Sequence, residues 1–318
     1  MNATQLIVEK NRIISAIIPS YNSAATIDYT INSLLHQKGH FLKEIIIVDS
    51  SDDDRVMNLS GKYISSAFKY INSGKHIIPA IQRNIGAKAA SGKILAFFDS
   101  DVILSPNYLE IVESYYQKGY LVGFGSIDLP LFQQKKLLPL VQYYLQLNEY
   151  LPVGTSREKK FPTGCNNYCD KTIFMKIGGY PAIRASEDVL FGLEIHKYTT
   201  ILFIPHATVS HIFREDWKSF YNNQFLLGEY VAFYKREKSY PFYFKSIIPI
   251  ILFPLFLILK TLRISSRIFS AGWEYIYKFI LVFPVLFLGL IFWTMGFTKG
   301  SITKKKVFKN KVSKVTKY

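Results

Sequence analysis

Two aspartates, Asp99 and Asp101, come directly after an apolar stretch in the sequence "ILAFFDSDVI" at residues 94–103. Residues two apart on an extended chain point to the same side, so the two carboxylates are expected to lie close together. Each disfavours ionisation of the other unless a cation lies nearby. Mg²⁺ and Mn²⁺ are hard ions that prefer such oxygen ligands. The pair therefore predicts a divalent-cation site, against the simpler interpretation of a polar turn after a strand.

Three apolar stretches in the first hundred residues have the pattern of strands that are buried on both faces. They are "IISAIIP" (13–19), "EIIIVD" (44–49) and the "ILAFF" that precedes Asp99. Segments with apolar residues at helical spacing lie between them. This alternation predicts an α/β fold with a doubly wound, mixed but mostly parallel sheet.

Polar residues follow the predicted strands at the edge where α/β sheets bind ligands, outside the carboxyl ends of the strands. Pro19 to Tyr21 end the first strand, Asp49 ends the second, and Asp99 follows the fourth. Neither a G-x-G-x-x-G fingerprint nor a P-loop follows the first strand, which argues against a dinucleotide dehydrogenase or a P-loop NTPase.

A second carboxylate pair stands in "SEDVLFGLEIHK" (186–197), which has the pattern of a helix capped by Ser186. Glu187 and Asp188 fall in its first turn. Carboxylates at that position also favour the helix dipole, so a purely structural role is the simpler alternative.

The order of four motifs resembles that of the family 2 glycosyltransferases, which have the GT-A fold. The motifs are "AIIPSYN", "EIIIVDSSDDD", "QRNIGAKAASGKILAFFDSD", and "GGYP" followed by "SEDVLFGLEI", and the resemblance covers roughly residues 10–235. It implies a GT-A sheet with helices on both faces and a metal-dependent, inverting transfer of a sugar from a nucleotide diphosphate, usually of uridine. Mn²⁺ or Mg²⁺ is the implied cofactor.

The resemblance also implies roles for residues of the donor pocket. Pro19 and Tyr21 would line the nucleoside pocket, and Asp49 would accept a hydrogen bond from the base. Arg83 would lie near the base or the phosphates. A surface ion pair is the simpler alternative for Arg83.

For the reacting groups, the resemblance implies that Asp99 and Ser100 contact the donor beside Asp101, which binds the metal. Asp188 would be the general base that takes the proton of the attacking hydroxyl. His211, in "VSH", would complete the metal site, although a buried strand histidine is the alternative.

The basic charge of the chain is concentrated at its C-terminal end. Residues 1–230 contain 23 Lys+Arg against 21 Asp+Glu, whereas residues 231–318 contain 16 against 2. An excess of cations beside apolar segments is typical of membrane-surface attachment and argues against nucleic acid as the partner. The two cysteines, Cys165 and Cys169, have no further Cys or His pair for a zinc site and are expected to be reduced.

Two segments without charged residues, 246–259 and 279–298, predict membrane helices. The connector between them and the tail 299–318, which has eight lysines, are both basic. Because positive charge stays on the cytosolic side, a helical hairpin or a re-entrant pair is favoured, and these two remain open. The predicted division is a GT-A domain at 1–238, membrane helices at 239–298, and a basic cytosolic tail.

The N-terminus has no uninterrupted apolar region of secretory type, so the catalytic domain is expected in the cytosol at the cell membrane. The acceptor is expected to be lipid-linked or a glycan. Transfer to a polyprenyl phosphate and addition to a growing lipid-linked glycan remain open. The "QxxRW" signature of processive synthases is absent. The rival functions are a non-catalytic scaffold that binds nucleotide sugars and a nucleotidyltransferase.

Overall fold

The computed structural model describes residues 12–63, 65, 67–184, 186–238 and 248–303. The chain packs as two compact units, each built from two segments. The described residues of Met1–Asp128 and Gly154–His211 form the first unit, and those of Leu129–Val153 and Ile212–Thr316 form the second. The domain division predicted from the sequence stays a prediction. The N-terminal residues 1–11, the segment 239–247 and most of the lysine-rich tail, 304–318, lie outside the described residues.

The first unit is built on one mixed sheet. Its strands are Ile14–Ser20 (β1), Leu42–Asp49 (β2), Phe68–Asn72 (β3), Ile94–Phe98 (β4), Val102–Leu104 (β5), Val122–Asp128 (β6), Arg157–Lys159 (β7), Asn166–Asp170 (β8) and Ile201–His211 (β9). The strand order is β3-β2-β1-β4-β8-β6-β9-β5, and β7 pairs with β9. The pairs β1–β2, β1–β4, β2–β3 and β6–β9 are parallel. The predicted α/β fold with a mixed, mostly parallel sheet is confirmed.

The helices of the described residues follow the predicted alternation in the first hundred residues. In chain order they are Ile27–Leu35 (α1), Arg55–Ser60 (α2), Pro79–Ala89 (α3), Tyr108–Gln117 (α4), Leu137–Leu147 (α5), Lys171–Lys176 (α6), Glu187–Ile195 (α7), Trp217–Lys238 (α8), Ile248–Ile251 (α9), Phe253–Ala271 (α10) and Trp273–Ile302 (α11). Helices α5 and α8–α11 belong to the second unit, and the others belong to the first.

The register of the parallel strands aligns their carboxyl ends. Ser20 pairs with Asp49, and Asp49 in turn pairs with Asn72. On the other side of β1, Ile17 pairs with Phe97, two residues before Asp99. The polar residues that follow β1, β2 and β4 therefore meet at one edge of the sheet.

Glu44 is a buried carboxylate near the start of β2 that contacts β1, β3 and the residues before β4. It accepts hydrogen bonds from Ser15 Oγ at 2.7 Å and from the backbone N–H of Ser91 at 2.6 Å, and it pairs with Lys69 Nζ at 2.6 Å. Although burial raises the pKa of Glu44, the hydrogen bonds from Lys69 and Ser91 outweigh it and lower the pKa to about 2. The ionised form is therefore part of the folded structure.

Glu44→Gln is expected to destabilise the protein by about 3 kcal/mol at pH 7, because the pKa is lowered by somewhat more than two units and each unit corresponds to about 1.4 kcal/mol. A depressed carboxylate pKa stabilises the fold above the unfolded value, about 4.3, and this stabilisation is lost as the pH falls towards 2. The difference between the variant and the wild type should therefore shrink on acidification. Urea unfolding followed by circular dichroism at pH 7 and pH 3 measures this difference in stability.

Glu110→Gln, at an exposed position, is the matched control and should change stability by less than about 0.5 kcal/mol. An equal loss at both pH values would contradict the assignment.

The second unit contains the apolar C-terminal helices. Among the described residues, α11 is the one helix that is long and apolar enough to cross a membrane. The other predicted segment, 246–259, spans α9 and the start of α10, apart from residues 246 and 247, which are not described. Whether the two segments enter a membrane as a helical hairpin or as a re-entrant pair stays a prediction.

Candidate active site

Asp99, Asp101 and His211 form a group that could hold a metal ion. One ligand atom from each lies within 4.8 Å of the others, and His211 Nε2 is 3.6 Å from Asp101 Oδ1. The antiparallel pairing of β5 with β9 creates this group, because it aligns Val102, next to Asp101, with His211. Two carboxylates and an imidazole are a donor set that suits a divalent ion such as Mn²⁺. The residues present therefore fit the predicted metal, with Asp99 beside the predicted ligands Asp101 and His211.

Arg83 lies at the centre of the candidate site, and its side chain is 3% exposed. Its guanidinium donates to Asp99 Oδ1 at 2.7 Å, to Glu187 Oε1 at 2.8 Å and to the carbonyl oxygen of Gly164 at 3.0 Å. It also lies over the ring of Tyr180, 5.3 Å from the centroid. Arg83 therefore connects the aspartate pair to the start of α7. Its predicted contact with the donor stays a prediction.

Asp188 is a carboxylate with altered acidity at the start of α7. Burial and, to a smaller extent, the neighbouring charge of Glu187 raise its pKa to about 7, although the backbone N–H of Val189 and the charge of Arg83 oppose the shift. Ser186 takes the predicted N-cap position, but its side chain makes no capping hydrogen bond, and its φ of 65° lies in the left-handed region. Such strained non-glycine residues are concentrated at functional sites. A carboxylate with a pKa near 7 is suited to act as a base at neutral pH.

The predicted nucleoside residues lie at the carboxyl ends of β1 and β2. Asp49 is 3% exposed, and it accepts hydrogen bonds from Ser51 Oγ at 2.7 Å and from Tyr70 Oη at 2.9 Å. Each carboxylate oxygen can accept two hydrogen bonds, so Asp49 retains capacity for another donor. Pro19 is buried within β1, whereas Tyr21 is 47% exposed.

A polar cluster lies beside Tyr21 that was not predicted from the sequence. Asp52 accepts hydrogen bonds from Tyr21 Oη at 2.9 Å and from Asn22 Nδ2 at 2.8 Å, and its own N–H donates to Asn22 Oδ1 at 3.0 Å. His76 Nε2 is 3.5 Å from Asp52 Oδ1. Asn22 and His76 both have positive φ, 52° and 59°. The cluster joins the loops after β1, β2 and β3. The polar runs "SYN" and "DSSDDD" follow adjacent parallel strands. This position could have predicted the cluster.

Ser100, between the two aspartates, is in a turn and is partly exposed. Glu187 was treated in the sequence analysis only as the neighbour of Asp188, whereas in the structure it is the second partner of Arg83. No local sequence pattern indicates this pairing, because the two residues are 104 positions apart.

The model of the family "Glycosyl transferase family 2" matches residues 15–187. Among curated relatives, the Escherichia coli UDP-Glc:alpha-D-GlcNAc-diphosphoundecaprenol beta-1,3-glucosyltransferase WfgD is 33% identical over 99 residues, 31% of this chain and 39% of its own length. The Staphylococcus aureus poly(ribitol-phosphate) beta-N-acetylglucosaminyltransferase TarP is 33% identical over 108 residues, 32% of each chain. An uncharacterized glycosyltransferase of Haemophilus influenzae is 32% identical over 123 residues, 37% of this chain and 38% of its own. The matches thus span less than two fifths of these relatives.

Solved structures of low sequence identity share the fold. S. aureus TarS 1-349 in complex with UDP superposes with a TM-score of 0.51 and 17% identity over 91% of this chain and 90% of its own. GalNAc-T7 with UDP, GalNAc and Mn²⁺ superposes with a TM-score of 0.52 and 18% identity over 64% of this chain and 43% of its own. Since the family model extends over more than half of the chain and the mixed sheet is shared with these structures, the protein belongs to glycosyl transferase family 2 and has the GT-A fold.

Proposed function

We propose that this protein is a metal-dependent, inverting glycosyltransferase that moves a sugar from a UDP-sugar to a lipid-linked or glycan acceptor at the membrane. One observation carries the proposal. The metal-type group of Asp99, Asp101 and His211 is joined through Arg83 to Glu187, the neighbour of a carboxylate whose pKa is near 7. A site with both features matches a reaction that must stabilise a diphosphate and remove a proton.

Asp99, Asp101 and His211 would hold Mn²⁺ or Mg²⁺. A divalent ion at this position supplies positive charge that stabilises the departing diphosphate. The donor set and its spacing support this assignment, and so does the presence of Mn²⁺ together with UDP in the GalNAc-T7 structure. Arg83 holds Asp99 through Oδ1, which orients the carboxylate and leaves its other oxygen for a ligand.

Asp188 would act as the general base. The acceptor oxygen attacks the anomeric carbon while the bond from that carbon to the diphosphate oxygen breaks. The acceptor proton passes to a carboxylate oxygen of Asp188. Attack from the side opposite the leaving group inverts the anomeric centre. Arg83 neutralises Glu187, which limits the repulsion between two adjacent carboxylates.

The donor would bind along the carboxyl ends of β1, β2 and β4. We assign the nucleoside to the region of Pro19, Tyr21 and Asp49, and the diphosphate to that of Asp99 and Ser100. The complexes of TarS with UDP and UDP-GlcNAc support a uridine donor. The relative WfgD, a glucosyltransferase that acts on alpha-D-GlcNAc-diphosphoundecaprenol, supports a lipid-linked acceptor.

Membrane attachment would come from α11 and from the basic residues at the C-terminal end. The first unit, which contains the candidate active site, would face the cytosol at the cell membrane, where lipid-linked acceptors and nucleotide sugars are both present. A polyprenyl phosphate is the alternative acceptor. The intact Asp188 favours an enzyme over a non-catalytic scaffold.

Incubation of the protein in native lipid with a panel of nucleotide sugars is expected to release UDP from one uridine donor. Release should require Mn²⁺ or Mg²⁺ and should stop when a chelator is added. Nucleoside diphosphate, pyrophosphate and transferred sugar are quantified in parallel, with a heat-treated sample as the control. Release of pyrophosphate would indicate a nucleotidyltransferase instead. Donor binding without any release in the presence of extracted lipid acceptors would indicate a scaffold.

A further inference from the structure

Helices α10 and α11 form an antiparallel hairpin in the second unit. The ring of Phe256 lies 5.1 Å from that of Phe297, and Lys260 Nζ lies 3.3 Å from the ring centroid of Trp293. The two helices are joined at Gly272, whose φ is 119°. Residues near the start of α10 thus contact residues near the end of α11, and the chain reverses its direction at Gly272.

One side of α11 is apolar and exposed. On α11, Leu281, Leu288, Met295 and Ile302 recur every seven residues, and each is between 44% and 73% exposed. Residues at this spacing lie along one face of a helix. We call this exposed apolar face of α11 the outer face.

The opposite side of α11 is covered by protein along most of its length. Gly289 lies against Leu145 of α5 and Phe220 of α8, and Gly296 lies against the backbone of Phe225. Gly300 lies against the backbone of Glu229. A side chain at any of these glycines would collide with these neighbours. Because the order of contacts is the same on both helices, α8 runs parallel to α11 and begins near its middle.

This packing is incompatible with a crossing of the bilayer by α11. The apolar segment 279–298 has its centre near Leu288, so the start of α8 would lie at the middle of the membrane. Arg214, Glu215 and Asp216 stand there and are exposed, as is Lys218 in the first turn. Exposed charges are strongly disfavoured in hydrocarbon.

We propose that the α10–α11 hairpin lies in the plane of the membrane, with its outer face in a single leaflet that contains anionic lipids. A helix that lies in the interface buries its apolar face by about 5–10 Å and keeps its polar side in water. Trp273 and Tyr277, which are 74% and 42% exposed, lie next to the turn of the hairpin. Aromatic side chains of these two types favour the headgroup level.

The charges of the connector 260–278 and of the tail favour anionic lipid over a second copy of this chain as the partner. Of the four cations of the connector, Arg263 is exposed, whereas Lys260 and Arg267 are partly covered by protein. The connector has one acidic residue, Glu274, and the tail 299–318 has eight lysines and no acidic residue. Anionic headgroups attract such cations, whereas two copies packed through this face would bring like charges together. The inference rests on the proposed function only in choosing a membrane as the partner.

The experiment measures the depth of single cysteines in the bilayer. Leu281→Cys, Leu288→Cys and Met295→Cys in the full chain are each labelled with an environment-sensitive fluorophore. The protein is then bound to vesicles of phosphatidylcholine and phosphatidylglycerol. Nitroxide lipids that carry the quencher near the headgroup or near the chain end report the depth. The wild type, whose two cysteines are buried, gives the labelling background.

An in-plane hairpin is expected to give the same depth at all three positions, with shallow quenching stronger than deep quenching. A crossing helix would place position 288 deepest and positions 281 and 295 about 10 Å nearer to opposite surfaces, given a rise of about 1.5 Å per residue. That result would overturn the proposal while leaving membrane attachment intact. Lys218→Cys is the matched control, and an in-plane hairpin leaves it accessible to a charged thiol reagent on the vesicles.

Two further outcomes would also overturn the proposal. Failure to bind vesicles, with self-association of the protein in sedimentation, would assign the outer face to a second copy. Failure to bind vesicles as a monomer would remove both this inference and the proposed membrane attachment. Nucleotide-sugar turnover, measured in the same samples without vesicles, tests the glycosyltransferase proposal separately.

Discussion

Asp188→Asn is expected to slow sugar transfer by at least about 10²-fold, the usual contribution of a positioned general base. Asparagine has nearly the same size and accepts hydrogen bonds, but it cannot take a proton from the acceptor hydroxyl. Donor affinity should stay within about twofold of the wild type, because a base that acts on the acceptor does not bind the nucleotide. Single-turnover transfer and the equilibrium binding of a uridine nucleotide together measure the two effects.

Glu194→Gln is the matched control for this substitution. It removes a carboxylate from the same helix, but the Glu194 side chain is 47% exposed, and the described ion pair of its carboxylate is with the nearby Lys197. It should transfer sugar at the wild-type rate. Loss of nucleotide binding in Asp188→Asn, with normal transfer per bound donor, would reassign Asp188 to the donor pocket.

The pKa of Asp188 adds a pH dependence to the same prediction. Because the base must be ionised, kcat/KM of the wild type should rise as the pH passes through about 7 and then level off. The folded protein holds this proton more tightly than the unfolded chain, whose pKa is about 3.9. Ionisation therefore destabilises the fold progressively between these two values. Asp188→Asn should consequently be more stable than the wild type at pH 8 and no more stable at pH 4, as thermal unfolding will show.

Asp101→Asn is expected to reduce transfer to background and to weaken Mn²⁺ binding by at least about 10²-fold, since even an outer-shell partner of a metal contributes about 10- to 100-fold. The side chain of Asp101 is 37% exposed, so its replacement should alter the fold little. Isothermal titration with Mn²⁺, with and without UDP, measures metal and donor binding separately.

Asp28→Asn is the control for the loss of one aspartate charge, because Asp28 lies on α1, pairs with Lys62 at 3.8 Å and is not part of the metal group. It should leave Mn²⁺ binding unchanged. Near-normal transfer by Asp101→Asn in the presence of a chelator would show that the reaction needs no metal at this group. Circular dichroism of both variants excludes misfolding as the cause of a loss.

Several features of the site followed from local sequence patterns. Continuous apolar runs define strands such as β1, β2 and β4, and the residue after a parallel strand necessarily lies at the ligand-binding edge. That reasoning led to Asp49, Asp99 and Asp101 and to the α/β class. Family membership likewise followed from motif order, because the motifs are short and each lies within one strand end or helix start.

Contacts between distant segments were decided only by the tertiary structure. From the sequence, Arg83 was expected on a helix near the nucleotide-sugar donor. In the structure it is buried between Asp99 and Glu187. The pKa of Asp188 likewise depends on burial and on the charge of Glu187, and burial has no local signature. The same distinction holds for α11. The sequence of this segment determined that it would be long and apolar, because hydropathy depends on composition alone. Which side of that helix is exposed depends on the packing. The glycines of α11 allow α8 and α5 to approach closely, so the opposite side is the exposed one.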